Sequence, residues 1–328
     1  MISASVEPER LLKELRGLWR DLGKQDANGV LRACAMTLVV VADEAQDANV
    51  IGETVAGLMH ENPGRVIVVR VRQCAEQVLE ARVFAQCWMP FGGRQQICCE
   101  QVEIIASPSS LLDVATVVRA LIVPDLPSIL FCPGESLWAL PDFKSLLPLT
   151  DKLIVDSCRM SEPAGVLDFL SGLPGSKRRA DLMWSRLTPW RQAIARIFED
   201  SVLCRRVYDL TEVRLMYHGS EEPSSIYYLA GWFMHVLGAG VPINVAPGVG
   251  PEYARVVHVS LIGIDVDATI GITDRNTAET SINGKAAEVT VFPDAGDEYA
   301  LRQELAVPGR DPLFDDVLGL AMLMRGAR

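Results

Sequence analysis

Residues 36–44 read MTLVVVADE. The apolar side chains run without alternation from Met36 to Ala42, and an acidic turn follows at Asp43-Glu44. A strand with one wet face alternates polar and apolar residues. A continuous Val-rich run is a strand buried on both faces, as in a parallel sheet covered by helices. NPGRVIVVRV (62–71) repeats the pattern after a turn, with a helical stretch between the two. LPSILFCPG (126–134) and DKLIVDS (151–157) extend the series. In SSLLDVATVVRALIVPDLP (109–127), Leu111, Val114, Val118 and Leu121 recur at helical spacing, and Pro124 ends that helix. Strands alternating with helices predict an α/β fold: an N-terminal, mainly parallel sheet with helices on both faces.

Two more strands, Leu79 to Met89 and Gln95 to Ala106, are joined by the turn signal Pro90-Phe91-Gly92-Gly93 and read as an antiparallel insertion. Ahead of the sheet, Ser5 caps a helix with Leu11, Leu15, Leu18 and Leu22 on one face. GLPGSKRRA (172–180) reads as a solvated linker, which divides the chain into domains 1–175 and 176–328. Beyond it, Thr188-Pro189 predicts an N-cap and a first helical residue, with Trp190, Ile194, Ile197 and Phe198 as the apolar stripe. Another helix is predicted over 224–238, and Asp311-Pro312 opens a last one. Short β segments with turns at Asp274-Arg275-Asn276 and Asn283-Gly284 fill 253–292. This half is predicted to be an α+β domain.

A chain of 328 residues, 49% hydrophobic, buries a sizeable core. Its net charge of −11 argues against a nucleic-acid partner. The N-terminal stretch lacks the pattern of a signal peptide, and no apolar run reaches the length of a membrane span. The expectation is a soluble, cytoplasmic protein whose eight cysteines are mostly reduced, with no membrane partner.

Cys98 and Cys99 stand side by side in QICCEQVEI (96–104). On a strand they face opposite ways, so they are poorly placed to chelate one metal, and no CxxC accompanies them. They read as buried, reduced thiols acting as small hydrophobes. Glu100, on the face of Cys98 and Val102, needs a partner if buried, and Arg94 and Arg119 are the candidates. There is neither a GxxxxGK[ST] nor a GxGxxG phosphate loop. Phe91-Gly92-Gly93-Arg94, Gly238-Ala239-Gly240 and Gly248-Val249-Gly250 read as turns, and Asp265-Val266-Asp267 as a turn between β segments rather than a metal site. No cofactor or metal is expected. In DLMWSRLTPWRQ (181–192), Trp184, Arg186, Trp190 and Arg191 are residue types that anchor interfaces and equally types that pack inside a protein.

RACAMTLVVVADE, NPGRVIVVRV, QICCEQVEI, ALIVPDLPSILF, DKLIVDS and DLMWSRLTPWRQ occur together in an order and spacing that resembles the OpcA family. These are the glucose-6-phosphate dehydrogenase assembly proteins, or allosteric effectors of that enzyme. The resemblance covers most of residues 30–200. It implies a non-catalytic partner that binds glucose-6-phosphate dehydrogenase, favours its active oligomer and raises its activity, so supporting the oxidative pentose phosphate pathway and NADPH supply. It marks Cys98, Cys99, Glu100, Pro124, Asp125 and Pro127 as motif positions. Two other readings remain open: a sugar-phosphate enzyme with Asp43, Glu44 and Pro133-Gly134-Glu135 lining the crevice at the strand ends, and a cysteine-based redox switch.

Overall fold

The computed structural model describes residues 6–25, 30–43, 48–89, 96–160, 162, 164–251, 254–292 and 296–326. Their contacts form two units. Unit 1 comprises Met1–Asp156, Ser176–Ala180 and Leu301–Arg310, and unit 2 comprises Ser157–Gly175, Asp181–Ala300 and Asp311–Arg328. Ser5, Glu44 and the turn residues 90–94 of the sequence reading lie outside the described residues.

In unit 1, α1 (Pro8–Gln25) precedes β1 (Val30–Arg32) and β2 (Met36–Asp43). There follow α2 (Ala48–Met59), β3 (Gly64–Val71), β4 (Leu79–Trp88), β5 (Gln96–Ala106) and α3 (Leu111–Leu121). β6 (Ser128–Cys132), β7 (Lys152–Val155) and β8 (Arg178–Asp181) complete an eight-stranded sheet ordered β1-β5-β3-β2-β6-β7-β8, with β4 also on β5. Counted from β2, the last six strands follow the doubly wound order 3-2-1-4-5-6. The Val-rich runs explain it. Leu38, Val39, Val40, Val41, Ile67 and Val69 are fully buried, which a parallel sheet covered by helices requires. The antiparallel insertion is narrower than predicted, since β5 pairs in parallel with β3 and only β4 runs against it.

Charges inside this unit have specific partners. Glu100 is 3% exposed. It accepts from Trp19 Nε1 on α1 and from Arg65 Nε on β3 at 2.6 Å, and pairs with Arg32 on β1 at 2.7 Å. Arg65 also donates to the carbonyl of Leu121 at the end of α3. The sequence named Arg94 and Arg119 for this role. Arg119 is exposed and Arg94 lies outside the described residues, so the partners come from strands adjacent in space rather than in sequence. Lys152 is buried and donates to the Glu304 carboxylate at 2.8 Å and to the carbonyls of Glu304 and Val307.

The linker reading of GLPGSKRRA needs correction, because Arg178–Asp181 is a strand. Lys177 donates to Thr150 Oγ1 at 2.8 Å and to the carbonyls of Leu147 and Thr150. Burial pulls its pKa down to about 8 against the favourable charge of Asp151. The cysteine expectation also changes. Cys98 is joined to Cys87 by a disulfide across the antiparallel β4–β5 pair. The other six cysteines stand outside disulfides, and of these Cys99 and Cys132 are buried. Pro124, Asp125 and Pro127 form the turn from α3 to β6. Asp125 takes the left-handed conformation there, and the Pro127 carbonyl accepts from Thr37 N.

Unit 2 holds α4 (Gly165–Ser171), α5 (Leu182–Arg186), α6 (Thr188–Ile197) and α7 (Ser201–Arg206). β9 (Leu210–Tyr217), α8 (Ser224–Leu237) and β10 (Ile243–Pro247) come next. β11 (Val256–Gly263), β12 (Val266–Asp274), β13 (Thr277–Ile282) and β14 (Lys285–Val291) are followed by α9 (Asp297–Leu305), which continues into unit 1, and by α10 (Pro312–Gly326). The six-stranded sheet is ordered β10-β9-β11-β12-β13-β14 and is antiparallel except for β10 on β9. The predicted α+β character is thus observed. The β13–β14 hairpin turns on Asn283 and Gly284, both at positive φ, as a tight two-residue turn requires. Thr188 is not an N-cap. Leu187 ends α5 and begins α6 directly, and the Thr188 hydroxyl instead accepts from Arg191. Buried residues occupy every face of the first two turns of α8. Gly231 lets α10 approach closely there: a Cβ on it would lie 2.6 Å from the Val317 carbonyl.

Replacing Glu100 by Ala leaves the buried Arg65 cation without its counter-charge, and should cost about 3–5 kcal/mol in urea unfolding. Glu100→Gln, which keeps an acceptor, should cost less. His258 on β11 has its pKa lowered by burial. The unfolded imidazole then binds a proton at a higher pH than the folded one, so stability is lost as pH falls from the unfolded value of about 6.5 through the folded one. A His258→Gln variant should therefore lose less stability than the parent between about pH 7 and about pH 5.

Candidate functional site

The segment 181–192 is organised by one carboxylate. Asp181 has no exposed surface and caps α5 by accepting from Met183 N at 2.9 Å. The same oxygen accepts from Ser157 N at 3.0 Å, and the second oxygen accepts from the Tyr228 hydroxyl at 2.8 Å. Ser157 Oγ and Ser224 Oγ are 2.6 Å apart. Burial, then the Asp181 charge, raise the Tyr228 pKa well above its ordinary value, so the phenol remains a donor. The start of α8 is thereby fastened to the start of α5.

Trp184 and Trp190 are 4% and 6% exposed, so the predicted interface rings are core residues of unit 2. Trp184 Nε1 donates to Asp311, and its ring packs against Tyr228 and Phe314. The Arg191 guanidinium lies 3.5 Å over the Trp184 ring and donates to the Trp184 carbonyl. Trp190 meets Phe292 edge to face at 5.2 Å. Arg186 pairs with Asp297 at 2.8 Å. The mixture of Trp and Arg that suggested a surface is a packed aromatic cluster with arginines stacked on and around it.

Two hollows open beside this cluster. One, of about 300 Å³, is lined by Arg186, Trp190, Ser225, Arg255, Arg275 and Phe292 among others. The second, of about 210 Å³, shares Arg255 and reaches His218, Ser224 and Glu221. The sequence reading named Arg275 only as a turn residue and did not single out Arg255 or Ser225.

The remaining candidates lie outside the 181–192 segment. Ser136, next to the Pro133-Gly134-Glu135 stretch, donates to Asp43 at 2.7 Å. Burial raises the Cys99 thiol to about 11 and the Cys132 thiol to about 12, which leaves both as thiols at neutral pH. Asp265 occupies a left-handed turn position near Arg206. Gly238, also at positive φ, terminates α8. No described helix is long and apolar enough to cross a membrane.

Two family models match the chain. Residues 55–171 match the glucose-6-phosphate dehydrogenase subunit N-terminal domain, and residues 177–318 the C-terminal domain. The chain belongs to the OpcA family. It is 24% identical over 314 residues to the OpcA protein of Synechocystis sp. PCC 6803, covering 83% of this chain and 65% of that one. It is 27% identical over 179 residues to OpcA of Nostoc punctiforme, covering 52% and 37%. The chain therefore spans less than two thirds of the length of these relatives. Among solved structures, biliverdin reductase from Synechocystis sp. PCC 6803 superposes with a TM-score of 0.50 at 10% identity, over 89% of this chain and 99% of that one. That likeness establishes the α/β fold.

Removing the Asp181 carboxylate strands two buried amide donors and a phenol. Asp181→Ala should cost roughly 3 kcal/mol or more, against about 1–2 kcal/mol for Tyr228→Phe, in urea midpoints.

Proposed function

We propose that this chain binds glucose-6-phosphate dehydrogenase, favours its active oligomer and raises its activity, with no turnover of its own. The observation that carries the reading is the match of both halves to domains described as a subunit of that enzyme. The relatives, described as OxPP cycle proteins, support the same placement. On this reading the protein works in the cytoplasm and serves NADPH supply. The 1–175 and 176–328 halves are its working parts.

Contact with the enzyme is proposed through the 181–192 segment. Its tryptophans supply the packed base, and the partly exposed Arg186 and Arg191 are the groups a partner reaches. An activator must bind the active form of its target more tightly than the inactive form, since equal affinity shifts nothing. If it tightens substrate binding, linkage requires substrate to tighten the complex equally.

The test mixes purified cognate enzyme with the protein, then follows initial rate against substrate and oligomer size. The expected result is a complex with a raised rate. The absence of both at micromolar concentration would overturn the reading. Arg191→Ala should weaken activation while the protein remains folded. Trp184→Ala should instead unfold unit 2, at a cost of about 3–5 kcal/mol.

A further inference from the structure

The larger hollow of unit 2 collects charge of one sign. Arg186, Arg255 and Arg275 line it, and no carboxylate is among its described lining residues. Arg186 is engaged by Asp297. Arg255 is exposed and borders both hollows.

The first turn of α8 reaches the same place. Ser225 lines the hollow and Ser224 the adjoining one. α8 has 14 residues, and Pro223 at its N-cap offers no side-chain acceptor. The N-terminus of such a helix carries partial positive charge and amide donors suited to an anion.

A separate observation points to a missing ligand. Ser225 is fully buried, and its Oγ has no hydrogen-bond partner among the described residues. A buried hydroxyl without a partner is destabilising and uncommon. Here it borders a hollow that Arg255 and Arg275 also line. Trp190 and Phe292 give the same hollow an aromatic wall.

We propose that this hollow binds an organic phosphate, a phosphate monoester. Arg255 and Arg275, the Ser225 hydroxyl and the start of α8 take the dianion, and the organic part lies along Trp190 and Phe292. Several fork-shaped and backbone donors exceed what two carboxylate oxygens accept but match a phosphate. A volume of about 300 Å³ suits a small metabolite. The site lies wholly within unit 2 and does not depend on the partner reading of the previous section.

The test is calorimetric titration of the full chain alone with glucose 6-phosphate, adenosine 5′-monophosphate, inorganic phosphate, glucose and adenosine. At least one ester should bind saturably and more tightly than inorganic phosphate, with both neutral compounds silent. Arg255→Gln should weaken that ester about tenfold or more and leave the ligand-free melting temperature unchanged. Ser225→Ala should weaken it several-fold without lowering that temperature, because it removes a hydroxyl that lacks a partner among the described residues. No saturable binding of either ester would overturn the proposal. So would equal affinity for inorganic phosphate, or an affinity indifferent to both substitutions.

Discussion

Asp181 is a carboxylate with no exposed surface, and three donors from different parts of unit 2 converge on it. In a medium of low dielectric such a charge is tolerable only when its oxygens are satisfied. The turn at Ser157, the first turn of α5 and the phenol of α8 must therefore arrive together. Once they do, Trp184 lies against Tyr228 and Phe314, and α8 begins beside Arg255. The aromatic cluster and the arginine-lined hollow are two sides of one arrangement fixed by that carboxylate. Glu100 has the corresponding place in unit 1, where it ties α1, β1 and β3 to β5.

The parallel sheet was legible because its strands are buried on both faces and so must be apolar throughout, as in Val39 to Val41. The helix over Leu111–Leu121 was legible from the spacing of its apolar residues. β9 was missed, although burial alternates from Val213 to Tyr217 and apolar residues occupy every second position of that stretch in the sequence. Lys177 was misread because a long aliphatic stem can hide a basic residue's reach, and the residue's three acceptors are backbone and hydroxyl groups nearly thirty positions away. The Cys87–Cys98 bridge follows from the β4–β5 register, which composition does not fix.

The site was harder to read for a related reason. Trp and Arg in 181–192 were conspicuous, but composition cannot tell a stacked core from an exposed patch. Arg191 over the Trp184 ring looks the same in sequence whichever way the pair faces. Arg255, Arg275 and Ser225 carry no site motif, and the folding of unit 2 brings them to one cavity. The family assignment was legible because its motifs lie in strands and turns of the first unit: the PDLP turn, the CCE strand and the buried Val runs.

Lys152 and Glu304 are 152 positions apart, yet both belong to unit 1 and form one buried ion pair. A ribosome makes Lys152 long before Glu304. During that interval β7 carries an ammonium group with no carboxylate to meet it, and burying it alone is strongly unfavourable. The central sheet can gather its apolar strands early, but the surroundings of Lys152 are complete only once the chain has been made beyond residue 304. Completion of the first unit is thus a late event of synthesis, set by a pairing that vectorial elongation delays.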